Sequence, residues 1–220
     1  MSRFPTHPIA AGILLGLVVP AAVHCAEPAN PDANLAVIVF NYAAVPTDVL
    51  AEAQGFTQKV FQHAGVGIEW IDPSSLAGQR EWHEPQEGPK FVMRIVPDSM
   101  LGPWPNHHAL LGFALLPVDG GMGSLAGAYH ERVQRLSRRL GGDSALVLGY
   151  VIAHELGHLL LGAQSHFHSG IMSYPFDRSE LRLASRGLLR FTPSQAKRIH
   201  ERLQEQSQSP DRRNCLGSME

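Results

Sequence analysis

Three histidines and one glutamate carry the chemistry that is legible in this chain. The stretch from Val151 to Gly162 reads His154-Glu155-x-x-His158 inside an apolar run, and His166 follows four residues after Gly162. A helix turns once every 3.6 residues, so His154 and His158 stand one above the other on one face. Two imidazoles placed in this way can bind one metal ion, and Glu155 beside the first can work on a water at that metal. A third protein ligand with the fourth position open is the catalytic arrangement, whereas four protein ligands close the site. A glycine after the helix lets the chain reverse. His166 is the favoured third ligand and His168 is the alternative.

The motif needs a helix, and the sequence supplies one. Gly141-Gly142-Asp143-Ser144 breaks the preceding pattern and offers an N-cap, and Ala145 to Leu161 is apolar nearly all round, closed by Gly162. A helix hydrophobic on every face belongs in the core. His154, Glu155 and His158 are its only ionisable side chains, and burying them requires a reason. Upstream, Leu35 to Tyr42 reads as a buried strand, Thr47 to Ala64 as a helix stopped at Gly65, and Val66 to Ile71 as a second strand. This β-α-β opening favours a parallel pair. Phe91 to Val96 and Leu110 to Val118 read as third and fourth strands, with Pro117 suited to an edge or strand end. Ala126 to His130 reads as a short strand. Glu131 to Leu140 continues as a turn or helix whose Arg132, Arg135, Arg138 and Arg139 are expected to form a solvated face. Ser179 to Gly187 reads as a short helix, and Thr192-Pro193-Ser194-Gln195 is a capping box opening a final helix to Gln206.

Composition bounds the rest. The chain has 220 residues, 44% hydrophobic and 17% charged, with net charge -2. That suits one globular domain with a substantial core, and the scattered basic residues exclude a nucleic-acid binder. Residues 1–26 read as a signal peptide, with Arg3 before an apolar run from Ile9 to Val19 and small residues at Ala21, Ala22 and Ala26. The run is shorter than the ~20 residues of a comfortable span, so no stable membrane span is expected after signal cleavage. Residues 27–206 then form the domain, and 207–220 a flexible tail. The expected location is secreted or periplasmic. Cys25 and Cys215 are the only cysteines; the position of cleavage decides whether they can pair. His107, His108 and His130 lack ligand spacing to the helix and are expected at the surface or lining a cleft. Asp177 and Glu180 are candidate partners for the free nitrogens of the metal-binding histidines.

His154-Glu-x-x-His158-x-x-x-Gly162-x-x-x-His166, followed by Gly170-Ile171-Met172, resembles the metzincin zinc metalloproteases, with one extra residue before the glycine and one after it. It is similar above all to uncharacterised secreted bacterial metzincin-like proteins, which also share the Phe191-Thr-Pro-x-Gln195 stretch; the likeness covers roughly 150–199. The resemblance implies an α/β fold, a single zincin-like domain with a twisted mixed sheet packed on the active-site helix and a helical C-terminal part. It implies Zn2+ on His154, His158 and His166, Met172 at the base of the metal pocket, and Glu155 as general base. Tyr174, two residues after Met172, has the spacing of a phenol that stabilises the oxyanion. The activity implied is that of an endopeptidase acting on a peptide or protein, with the strand at Leu110 to Leu116 pairing an extended substrate if it is the sheet edge. A zinc-dependent hydrolase of another amide or ester, and a non-catalytic zinc-binding envelope protein, are the alternatives.

Overall fold

A computed structural model of the protein describes residues 33–75, 88–100, 110–163 and 165–208. The signal-peptide segment, Cys25, His107, His108, Cys215 and the tail from 209 onward lie outside the described residues. The elements run β1 (Ala33–Asn41), α1 (Thr47–Gln62), β2 (Val66–Ile71), β3 (Lys90–Val96), β4 (Gly112–Leu115), β5 (Leu125–Tyr129), α2 (His130–Leu140), α3 (Ser144–Leu161), α4 (Arg178–Ser185) and α5 (Pro193–Gln208). The architecture is mixed α/β.

The strands form one sheet in the order β2-β1-β3-β5-β4. The first four are parallel, and β4 closes the edge antiparallel to β5 with Gly112 opposite Ala128 and Leu115 opposite Leu125. Strand β1 lies inside the molecule because it is apolar on both faces. Leu35, Val37 and Val39 join the main core, while Ala36 and Ile38 are buried with Ile71 on the other side, as the two-residue period of a strand requires. The main core also takes Val60 and Phe61 of α1 and Leu148, Ile152, Leu156 and Leu159 of α3. The hydroxyl of Thr57 donates to Gly149 O at 2.8 Å, joining α1 to α3 inside that core.

Helix α3 meets the length and apolarity of a membrane span, but protein covers 83% of it. It is the core helix of the domain. Asp143 caps its start, accepting from Ala145 N at 2.8 Å. At its other end the carbonyls that lack helical partners are met individually. His158 O accepts from Gly162 N, Leu159 O from Gly123 N, and Leu160 O from Arg202 Nε of α5. The end of the helix that carries the motif is therefore tied to the rest of the domain.

The structure corrects several expectations. The fourth strand spans four residues only, because the chain turns away at Pro117 and leaves Val118 fully exposed. The arginine run is not uniformly solvated. Arg132 is buried, lies 4.6 Å above the Tyr129 ring and donates to Leu110 O at 2.9 Å. Asp98 supplies its counter-charge at 3.5 Å, and Arg135 also reaches Asp98. His130, expected at the surface or in a cleft, is buried as the first residue of α2, and burial lowers its pKa.

Candidate metal centre

His154, Glu155 and His158 share the C-terminal half of α3, where only a folded core can hold them. Glu155 and His158 are each 8% exposed. Gly162 turns the chain with φ of 92°, and His166 returns to the helix pair. Nε2 of His158 lies 3.0 Å from Nε2 of His154 and 3.1 Å from Nε2 of His166. Among the described residues this is the group of side chains able to hold a metal ion, and its ligand atoms all lie within 4.8 Å of one another. His168 is exposed and is not a member.

The outer nitrogens decide what the inner ones present. His154 Nδ1 donates to Ile171 O at 2.8 Å, since a carbonyl can only accept. Ser165 Oγ donates its proton to Gly162 O at 2.6 Å, so it accepts from His158 Nδ1 at 2.8 Å. Both imidazoles therefore carry their proton on Nδ1 and a lone pair on Nε2. Two lone pairs facing each other at 3.0 Å make no hydrogen bond; a shared cation is what satisfies them. Four-coordinate zinc with Zn–N near 2.0–2.1 Å sets its nitrogens roughly 3.3 Å apart, which fits this spacing.

Burial keeps the two helix histidines neutral, the form that ligates a metal. It lowers the pKa of His154, with the Ile171 bond opposing the shift, and takes His158 down to about 4, helped by His154 and His166. Burial also pushes the Glu155 carboxyl up to about 8. A nearby cation acts in the opposite sense, because opposite charge favours the ionised form.

No protein-family model matches the chain. No curated protein sequence matches it. Two of the solved structures that resemble its fold are the following. The archaemetzincin of Methanopyrus kandleri shares 14% identity at a TM-score of 0.47, over 80% of this chain and 98% of that one. A zinc-dependent peptidase from Methanocorpusculum labreanum shares 14% identity at a TM-score of 0.48, over 74% and 99%. At this distance the reading of the site rests on the chain's own geometry.

Residues around the site shape it further, Met172 as expected and Gly157, Gly112 and Ser165 without having been singled out by the sequence. Gly157 faces the turn at Gly170–Met172 so closely that a Cβ there would lie 2.5 Å from Met172 Sδ. Met172 is fully buried under the histidines' helix, and the turn it belongs to is held by Ile171 N donating to Arg190 O at 2.8 Å. Gly112 of β4 sits against the glutamate, and a Cβ there would lie 2.7 Å from Glu155 Oε1. An isolated glycine in a strand is the sequence signal for such an approach. Ser165 precedes His166 and had no distinguishing mark in the sequence. Asp177 and Glu180 do not bond the histidines; together they form the capping box of α4.

A cleft of about 180 Å³ opens beside His154, Glu155 and His166. Its walls are apolar, from Leu111 and Gly112 at the β4 edge to Val151, Ile171, Phe176 and Leu189. Tyr174 lines it and is 54% exposed, its ring centroid 6.0 Å from that of His166.

Proposed function

We propose that this chain is a secreted or periplasmic zinc-dependent endopeptidase. The observation that carries the reading is the convergence of three imidazole nitrogens beside a buried glutamate, under β4, the edge strand of the sheet among the described residues. His154, His158 and His166 would hold zinc. Zinc supplies Lewis acidity, which acidifies water and polarises a carbonyl oxygen.

The chain's own residues do the remainder. Glu155 takes a proton from the attacking water and returns it to the leaving amine. Its position under Gly112 keeps the carboxylate next to the edge where substrate lies. The outer edge of β4 offers backbone groups to an extended peptide, and the peptide's side chain enters the apolar cleft between α3 and the Met172 turn. Tyr174 donates its phenol proton in a hydrogen bond to the developing oxyanion. Arg3 and the apolar run after it support export of the chain.

The test is a comparison of the zinc-loaded protein with Glu155→Gln on a peptide library. The variant should keep equal zinc content and lose about 10²- to 10⁴-fold in cleavage rate. Equal cleavage by the variant, or none by the unaltered protein, overturns the reading.

A further inference from the structure

A second cavity, also about 180 Å³, lies behind the first and shares Tyr150 and Leu189 with it. Its ionisable lining, apart from Tyr150, is basic, and Ser185 adds a hydroxyl. Lys59 and His63 come from the end of α1, and Arg190 from the segment between α4 and α5; no carboxylate lines it. Lys59 Nζ lies 5.5 Å over the Phe56 ring, and Arg190 Nε donates to Gly187 O. Among the described residues, none of the three forms an ion pair with a carboxylate. Arg190 is near enough to help burial depress the His63 pKa.

The ends of α1 and α4 carry partial negative charge, which accounts for a basic residue at each. It does not account for all of the charge. The Arg190 Nε bond answers one backbone carbonyl, and Arg190 lines one concavity with the exposed Lys59 and His63. Three cationic or protonatable side chains from two separate segments line a concavity that no carboxylate lines. Guanidinium and ammonium groups bind oxyanions through short, charge-assisted hydrogen bonds.

We propose that the cavity formed by Lys59, His63 and Arg190 binds a small oxyanion, either a phosphate group or a carboxylate group. The site is separate from the metal centre, although the two are adjacent. The carbonyl of Arg190 holds the amide of Ile171, whose own carbonyl orients His154. An occupant thus sits on the segment that supports the metal-binding turn.

Calorimetric titration of the zinc-loaded protein with inorganic phosphate, and separately with succinate, tests this at fixed ionic strength in sodium chloride. Saturable binding of either anion is expected, the first marking a phosphate site and the second a carboxylate site. Lys59→Gln/Arg190→Gln should weaken it by about ten-fold or more. Lys59→Gln/His63→Gln, which leaves the Arg190–Gly187 bond intact, should weaken it in the same direction. Binding that both double variants retain in full, as an anion on the metal would give, overturns the proposal. So does the absence of any heat beyond the chloride control.

Discussion

Ser165 has one hydroxyl proton, and Gly162 O takes it. Together with the Gly162 backbone, which also bonds His158, that arrangement keeps the proton of His158 on Nδ1 and turns its Nε2 lone pair toward His154 and His166. Replacing Ser165 by Ala removes the hydroxyl partner of Nδ1 and leaves the Gly162 backbone alone to hold the ring. Zinc affinity of Ser165→Ala should fall by about 10- to 100-fold in a chelator competition. An unchanged affinity would mean that the Gly162 backbone and packing orient the ring without the hydroxyl. The helix pair of the candidate site is legible from spacing, because His154 and His158 are one helical turn apart and the helix around them is otherwise apolar. The residue that orients is not. Ser165 lies next to His166 in sequence but serves His158, seven residues back, and only the turn at Gly162 brings them together.

Helix α3 and strand β4 meet at a point where neither has a side chain to spare. Gly112 lies against the Glu155 carboxylate, so a methyl group there collides with Glu155 Cγ and with Gly127 O across the sheet. Gly112→Ala should displace the carboxylate while leaving the three imidazoles in place. Cleavage should then drop by about 10²-fold, the scale of an ångström misplacement, with zinc content unchanged. Loss of zinc instead would show that β4 supports the metal ligands and not the glutamate. Most elements could be read from the sequence because period and capping agree: β1 alternates between two buried faces, and α3 has its Asp143 cap and glycine stop. The sequence overstates β4 because the apolar run continues past the point where pairing with β5 ends at Leu115. Arg132 was misplaced because its partner Asp98 and its acceptor Leu110 O come from other parts of the chain. A local charge run cannot reveal that kind of burial.

At the scale of the whole molecule, metal binding and folding are coupled. The buried Nε2 lone pairs need a cation in the folded state, and the unfolded chain offers no preformed site. Removing zinc should lower the melting temperature by roughly 5 to 10 °C when free zinc had been at about 100 times its dissociation constant. Re-addition should restore it. A melting curve unmoved by chelation would indicate that the domain holds no structural share of its metal. The expected effect is sizeable because the ligands sit on the core helix, whose C-terminal end is tied to α5 through Arg202 and to the β4–β5 connection through Gly123.

The proposed activity depends on one ion held by three imidazoles and open on its fourth side. Anomalous scattering at the zinc edge, from crystals of the zinc-loaded protein, locates that ion directly. The expected peak lies about 2.0–2.1 Å from Nε2 of His154, His158 and His166, with no fourth protein ligand. A peak bonded to His168, or one away from the His154–His158 pair, would contradict it.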